Sequence, residues 1–370
     1  MLNRITVFLI LSLCYLQTFA QSTVQAKFTP EAWEVSAEAH EFNTYKGKEA
    51  LLLKDGVARL KGSQFKNGII DYDINFEEGR KFLSFHFRIT ENKNYEEFYL
   101  RPHQSGNPDA TQYTPVFNGS AGWQLYHGEG YANPYNFNFG EWIHVRLIVA
   151  GDRMDVFIND MSKPFIHVHD LKQEEKSGRV GFSTFRGPAW YANLSYQELD
   201  QPRLLSEIKE LPEMGNNILK GWEISSPFSE KELEGISSLD QLAPYTEANW
   251  IQLDQEYTGL VNISSAHEAT KEKNTVLVRT RIYSDRKQLK KLELAYSDRL
   301  LAFSKGKALY AGQRNFRSRD YRYLGTIGFF DSIFVELEAG ENEIVFALSE
   351  SMGGWGINAR LLDTIGIRPN

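Results

Sequence analysis

Cysteine is nearly absent from this chain. Its 370 residues include a single cysteine, Cys14, which lies in a segment that we interpret below as a removable export signal. Without that segment the chain has no cysteine, so it cannot form a disulfide, a thiol nucleophile or a Cys-ligated metal site. Its stability must come from its hydrophobic cores.

A long apolar run is also missing. The stretch "ITVFLILSLCYL" after Arg4 is shorter than the roughly 20 apolar residues of a membrane-spanning helix, so we expect no membrane span. A charged start, an apolar run and a small residue at Ala20 are typical of a secretory signal. Leu13 precedes Cys14 where a lipoprotein would need a small residue. We therefore predict that residues 1–20 are a signal peptide cut after Ala20, and that the protein is secreted or periplasmic.

Positive charge is in short supply. The chain has 41 Lys and Arg against 48 Asp and Glu, a formal net charge of -7, and no run of Lys and Arg that could follow a phosphate backbone. Nucleic acid is therefore not an expected partner. Aromatic residues, in contrast, make up 13% of the chain, enough to fill cores and leave rings for a surface.

No long stretch keeps a 3.6-residue hydrophobic period. Short alternating segments such as "GIIDYDINF" and "RMDVFIND" recur instead, separated by Gly, Asn, Pro or Asp. This pattern predicts an all-β protein of two β-sandwich or jelly-roll domains. We place the first domain at residues 21–197 and the second at 218–370. Between them, 198–217 reads as a short linker whose segment "RLLSEIKEL" predicts a partly helical structure.

Three predicted strands carry polar side chains where a lone sandwich would usually carry Thr, Ser or Lys. The positions are Ser84, His86, Arg88, Glu97, Tyr99, Arg101, His144 and Arg146. If the strands share a sheet, these side chains form a basic and aromatic floor, on which Arg and His donate hydrogen bonds and Glu97 accepts them. The alternative is a set of cross-strand pairs that bind no ligand.

The segment 103–142 reads as a long loop in which only "WQLYH" resembles a strand. Loops of this length in compact domains are often functional. Its candidate ligand-binding residues are His103, Gln112, Tyr113, Trp123 and Tyr126. So many aromatic residues argue against a disordered cover, and we expect the loop to fold over the floor.

Two family resemblances follow from longer stretches. "GIIDYDINF", "FLSFHFRITENKNYEEFYLRP", "WIHVRLIVAGDRMDVFIND" and "GRVGF" resemble the concanavalin A-like lectin/glucanase superfamily, in its laminin-G-like and domain-of-unknown-function-1080 relatives. "LELAYSDRLLAFSKGKALYAG", "VELEAGENEIVFAL" and "GGWG" are similar to the galactose-binding-like jelly roll of many glycoside hydrolases. The first resemblance implies a sandwich that hosts lectins, enzymes and inert modules alike.

Catalysis finds little support in the sequence. The family-16 glucanases of the resembled fold use Glu-x-Asp-x-x-Glu on one strand, and the chain has no such motif, although Asp71 and Asp73 share a strand face. Ordinary retaining hydrolysis by two carboxylates is therefore not expected. A mechanism in which Glu97 works with His86 or His144 as acid and base stays open.

The sequence predicts no metal site. His167 and His169 point the same way on a strand, but no third ligand is evident. A structural Ca²⁺, common among the resembled sandwiches, cannot be read from one sequence and stays open. No other cofactor is evident.

These observations favour a protein that binds an oligo- or polysaccharide on the polar face of the first sandwich, with the second jelly roll as an accessory module. A glycoside hydrolase or lyase that acts on a polysaccharide at the same face is the alternative. A third hypothesis is an envelope adhesion module that binds protein.

Overall fold

Thirteen strands between residues 24 and 198 form one antiparallel sheet in the computed structural model of the chain. The structure describes residues 22–91, 93–247, 249–316 and 325–368, and the predicted signal peptide with its cut after Ala20 lies outside them. The strands are β1 Val24–Gln25, β2 Trp33–Tyr45, β3 Lys48–Leu60, β4 Gly68–Asn75, β5 Phe82–Thr90, β6 Asn94–Leu100, β7 Thr111–Phe117, β8 Ser120–Ala121, β9 Ala132–Asn133, β10 Ile143–Ala150, β11 Arg153–Ile158, β12 Ile166–Val168 and β13 Arg179–Glu198.

The longest strand, β13, bends this sheet into two arms. Its first half pairs with β5 and its second half with β4, and β3 runs beside both halves. The pairing shifts between Thr184 and Pro188, where Gly187 has a φ of 148° that favours glycine. Opposite this bend, Asp55 of β3 accepts a hydrogen bond from the backbone N–H of Arg186. We call β5, β6, β7 and the first half of β13 the front arm, and β4, β10, β11, β12 and the second half of β13 the back arm.

The first core lies between the two arms. Tyr72 of the back arm stacks on Phe85 of the front arm with ring centroids 4.9 Å apart, and Phe182 of β13 contacts both rings. Residues two apart on a strand share a face, so Phe85 and Phe98 point into this core while their neighbours point away from it. We call the face turned away from the core the outer face of each arm.

The second half of the chain is a separate sandwich. Its strands are β14 Trp222–Ile224, β15 Ile251–Leu253, β16 Val261–Asn262, β17 Thr275–Ser284, β18 Gln288–Tyr296, β19 Asp298–Ser304, β20 Lys307–Arg314, β21 Asp331–Leu337, β22 Gly340–Ser349, β23 Gly356–Leu361 and β24 Ile367–Arg368. They form a seven-stranded sheet in the order β15-β14-β17-β22-β19-β20, with β24 on β17, and a four-stranded sheet in the order β16-β23-β18-β21. Trp222 and Trp355 are fully buried between them.

Helical structure is scarce in the part of the chain that the structure describes. It amounts to α1, Ala243–Thr246, and 3₁₀ turns at Pro102–Gln104, Glu230–Leu233, Leu239–Leu242 and Ile263–Ser265. No helix of these residues is long and apolar enough to cross a membrane. The fold is all-β, as the alternating segments predict.

The prediction that the linker is partly helical is wrong, because residues 199–217 contain no helix. Asp155 Oδ2 accepts hydrogen bonds from the backbone N–H groups of Leu205 (2.7 Å) and Ser206 (3.0 Å). Leu205 and Ile208 are 52% and 57% exposed, so the apolar face that would stabilise a helix has nothing to pack against. The domain bounds themselves stay a prediction.

The segment 103–142 is more regular than its composition indicates. It contains β7, β8 and β9, whereas the stretch 123–127, predicted as a strand, belongs to a turn. The carbonyl of Gly122 accepts backbone hydrogen bonds from Leu125 (2.9 Å) and Tyr126 (3.1 Å). These bonds close a turn in place of a strand ladder.

Candidate functional site

The outer face of the front arm gathers several of the predicted site residues. Ser84 and His86 of β5 lie opposite Tyr99 and Glu97 of β6, respectively, and Gln112 of β7 lies opposite Tyr99. All five side chains are buried although they face away from the core. The polar row predicted from alternation is therefore correct in direction, but these side chains are not freely solvated.

Glu97 is the carboxylate of this face. Ser84 Oγ donates a hydrogen bond to Glu97 Oε1, and His86 Nε2 lies 3.6 Å from the same oxygen. Burial raises the pKa of Glu97, but the contact with His86, the hydrogen bond from Ser84 and the nearby charge of Arg101 outweigh it and hold the pKa below its ordinary value. Glu97 is thus an ionised acceptor, and 12% of its side chain remains exposed.

His86 is held in place as a neutral ring. It is 1% exposed, and burial lowers its pKa. Ser183 Oγ lies 3.1 Å from His86 Nε2, and the Tyr95 ring stacks on the imidazole at 4.3 Å. Arg59 of β3 completes this end of the face, with its guanidinium 5.6 Å from the Tyr95 ring centroid. Tyr95 shares this face because it lies two residues before Glu97 on β6. Nothing in the sequence indicates Arg59 as a neighbour, because β3 reaches the face only through its pairing with β13.

At the other end of the face, Arg101 anchors the segment that carries Trp123. Arg101 Nη2 and the Tyr99 hydroxyl each donate to Gln112 Oε1 at 2.8 Å, and Gln112 Nε2 donates to the Trp123 carbonyl at 2.8 Å. These three buried side chains therefore fix the position of the backbone at Trp123. The half-buried Trp123 ring lies 5.9 Å from the Arg101 guanidinium.

His103, two residues after Arg101, lies at the same end of the face. Its ring meets Phe82 edge-on at 5.1 Å, and Phe82 in turn packs against the exposed ring of Phe185. Burial and the charges of Arg101 and Arg80 lower the pKa of His103 to about 4, so the ring is neutral at neutral pH. The sequence had indicated His103 but neither of the two Phe rings.

Arg88 does not reach this face. The strand pairing is irregular between Phe87 and Thr90, and Arg88 has a φ of 53°. Its guanidinium is directed to the carbonyls of Lys66 (2.9 Å) and Gly151 (2.7 Å). The predicted position of Arg88 on the floor is wrong, because alternation fails at this irregularity.

Two predicted tyrosines also lie elsewhere. Tyr113 points into the core, where its hydroxyl donates to Glu96 at 2.7 Å. Burial raises the pKa of Glu96 to about 7, although the Tyr113 hydrogen bond opposes the shift. Tyr126 donates to Glu256 of the second sandwich, so it belongs to a contact between the two halves.

His144 and Arg146 lie on the outer face of the back arm. Three strands, β4, β13 and β5, separate β10 from β6, which is roughly 19 Å along a sheet. His144 lies between Asp71 (3.1 Å) and Asp73 (2.7 Å), and Arg146 donates to Asp71. Hydrogen bonds to Asp71 and Asp73 raise the pKa of His144 to about 9. The structure therefore does not bring His144 to Glu97, because sheet order depends on long-range pairing.

Metal-ligating side chains do not converge in the part of the chain that the structure describes. No group of three or more His, Cys, Asp or Glu side chains there could hold a metal ion. His167 bonds Asp155 through Nδ1 at 2.6 Å, and the His169 ring meets it edge-on at 4.4 Å.

Comparison with known proteins yields structural neighbours only. No family model matches the chain, and no curated protein matches it. A carbohydrate-binding module from Bacillus subtilis has a TM-score of 0.36 at 15% identity, over 45% of this chain and 96% of that chain.

Two glucanases are also similar. The Bacillus licheniformis β-glucanase has a TM-score of 0.36 at 9% identity, over 50% of this chain and all (100%) of its own. A β-1,3-1,4-glucanase (lichenase) derived from a mouse hindgut metagenome has a TM-score of 0.37 at 9% identity, over 49% of this chain and 100% of its own. At these identities and TM-scores we take no site residue and no activity from these proteins. The resemblances to the laminin-G-like, domain-of-unknown-function-1080 and galactose-binding-like families stay predictions.

Proposed function

We propose that this protein binds carbohydrate on the outer face of the front arm. The proposal rests on the orientation and ionisation of the Glu97 carboxylate. Ser84 and His86 orient its carboxylate and keep it ionised, while part of the side chain stays exposed. An ionised, fixed carboxylate accepts hydrogen bonds strongly, and the hydroxyl groups of a sugar supply the donors.

Aromatic rings lie on both sides of this acceptor. Tyr95 is two residues before Glu97 on the same face of β6, and Trp123 lies beyond Arg101 in the other direction. Both rings are half-buried, so each keeps surface for a ligand. Apolar ring faces with a few oriented polar groups are typical of small-molecule sites, and this arrangement favours a sugar over a protein partner.

Hydrolysis or lyase chemistry at the same face is the second candidate, and the contact between Glu97 and His86 favours it. Against it, glycoside hydrolysis usually requires two carboxylates that flank the bond. As far as the structure describes the outward-facing positions of β5, β6 and β7, they contain one carboxylate, that of Glu97. Glu97 is ionised and His86 is neutral and buried, which suits an acceptor better than an acid–base pair. Binding without turnover is therefore the proposed function.

A glycan array scored for both binding and release of reducing ends tests this proposal. The wild type should bind at least one glycan class and release no product. Glu97→Gln removes the charge and keeps the shape, and should weaken binding roughly tenfold, the value of one hydrogen bond to a charged group. Glu49→Gln, an exposed Glu of the same sandwich, is the matched control and should bind as the wild type does.

Product release that Glu97→Gln abolishes while binding persists would establish the enzyme instead. Wild-type affinity in Glu97→Gln would place the ligand elsewhere. A wild type that binds no glycan on the array would overturn the proposed function.

A further inference from the structure

A cavity of about 740 Å³ lies between the segments 127–134, 163–169 and 205–209. It is distinct from the outer face of the front arm around Glu97, which we call the Glu97 face. Its volume is within the range of small-molecule sites, roughly 300–1,000 Å³. Asp109 also lines it, and the backbone carbonyl of this residue accepts a hydrogen bond from Arg101 Nη1 at 2.9 Å. The cavity and the Glu97 face therefore meet at the short segment that joins β6 to β7.

Two side chains that line this cavity, Asp109 and His167, each have a buried polar atom without a hydrogen-bond partner in the described part of the chain. Asp109 is 3% exposed, and its Oδ2 has no hydrogen-bond partner there. His167 donates through Nδ1 to Asp155 Oδ1 at 2.6 Å, because Asp155 is already fixed as an acceptor by two backbone N–H groups. His167 Nε2 also has no hydrogen-bond partner among these residues. Buried polar atoms without hydrogen-bond partners are costly.

The rest of the lining narrows the choice of ligand. Lys163 and Lys209 are exposed at the cavity, and their ammonium groups are donors only. Phe165 adds an apolar ring surface. The exposed Glu129 and Glu207 side chains also line the cavity. A ligand that suits this set must donate to Asp109, form a hydrogen bond with His167, accept from the lysines and present an apolar face. A polyhydroxylated ring meets all three conditions, whereas no three His, Asp or Glu side chains of the described residues come close enough together to hold a metal ion.

We propose that this cavity is a second saccharide subsite, with Asp109 and His167 as hydrogen-bonding partners of sugar hydroxyls. This inference rests on the proposed function, since it assigns the same ligand class to a second place on the sandwich. Histidine signals can report ligand binding at each of the two sites separately. His167 and His169 line the cavity, whereas His86 contacts Glu97.

Selective ¹⁵N labelling of histidine in the full chain provides the test. The chain has eight histidines, few enough for separate assignment. D-glucose, D-galactose and D-glucuronate are titrated in turn, and the shifts of His167, His169 and His86 are followed. At least one sugar should shift the cavity signals. Asp109→Asn should weaken that response about tenfold and leave the His86 response unchanged.

Two further variants support the reading of this titration. Ala132→Phe, which fills the cavity from β9, should abolish the response of His167 and His169 without removing a polar group. Asp152→Asn, an exposed neighbour outside the lining, should respond as the wild type does. Retention of the cavity response in both Asp109→Asn and Ala132→Phe would overturn the inference.

The outcomes also separate this inference from the proposed function. Shifts of His86 without shifts of His167 and His169 would reject the cavity and leave the Glu97 face in place. Shifts of the cavity histidines alone would support the subsite and move the principal site away from Glu97. No shift of any histidine would overturn this inference, while the proposed function would still be decided by the glycan array.

Discussion

Asp298 and Glu350 meet at the ends of β19 and β22 and are 1% and 3% exposed. Backbone N–H groups satisfy one oxygen of each, while Asp298 Oδ1 and Glu350 Oε2 have no partner among the described residues. Burial and the charge of Asp298 raise the pKa of Glu350 from 4.5 to about 8. Glu350 is therefore protonated in the folded protein at neutral pH.

This raised pKa predicts a pH dependence of stability. Below pH 4.5 the carboxyl is protonated in both states and its contribution is fully present; as pH rises through about 8 that contribution is lost. Glu350→Gln keeps an acceptor for the backbone N–H of Gly354 (3.1 Å) and removes the ionisation. We expect it to raise Tm by about 5 °C at pH 8 and to give no gain at pH 4, measured by scanning calorimetry. The exposed Glu272→Gln is the control, and equal gains at both pH values would contradict the assignment.

At the scale of the element, β5 shows how one irregularity redirects a side chain. Up to Phe87 the strand alternates, and its outward residues form the Glu97 face. At Arg88 the backbone enters the left-handed region, and the guanidinium leaves that face for acceptors on Lys66, Asn67 and Gly151. Arg88 thereby ties the start of β4 to the hairpin between β10 and β11, and its role is structural.

Arg88→Ala should therefore destabilise the first sandwich, since it removes three hydrogen bonds from a residue that is 2% exposed. We expect a loss of about 3 kcal/mol in the free energy of unfolding by urea, with carbohydrate affinity unchanged in the folded fraction. Arg186→Ala is a matched control, since Arg186 also has a positive φ, 63°, but an exposed side chain. If Arg88→Ala lost carbohydrate binding but kept wild-type stability, Arg88 would have to be a ligand-binding residue after all.

At the scale of the whole molecule, the segment that carries Trp123 is held by the second sandwich. Gln124 donates a backbone hydrogen bond to Gly353 (2.7 Å), and the Tyr126 hydroxyl donates to Glu256 Oε1 (2.5 Å) and accepts from Asn262 Nδ2 (3.0 Å). Leu125 packs with Tyr126 and Leu260 in a small buried cluster. The second half thus supports the margin of the proposed site.

A buried ion pair joins the same surfaces. Lys172 Nζ lies 2.5 Å from Glu256 Oε2, and 6% of the Lys172 side chain is exposed. Lys172→Met should cost roughly 3 kcal/mol of stability, because it leaves Glu256 buried without its cation. Adding Glu256→Gln should recover part of that loss, as measured by urea unfolding of both single variants and the double variant. Strict additivity of the two changes would show that the pair does not couple the halves.

Local pattern was enough to predict the all-β class and the direction of regular strands. Phe85, Phe98, Ser84 and Glu97 point where alternation places them, because a strand has a side-chain period of two and apolar side chains gain free energy by burial. The same reasoning was wrong at Arg88, where the period is interrupted, and within 103–142, where it predicted a strand at 123–127 and missed the strands β7, β8 and β9.

Which strands become neighbours was decided by tertiary structure alone. His144 and His86 carry equivalent sequence signals on their strands, yet the bend of β13 assigns them to different arms, one beside Asp71 and Asp73 and the other beside Glu97. Tyr126 is likewise predicted from the sequence as an aromatic residue of a loop, whereas in the structure it donates a hydrogen bond to Glu256, 130 residues away in the chain. Pairing between distant segments depends on the combined packing of both faces and on turn geometry. Composition and periodicity therefore determined the kind of element, and long-range contacts determined the site.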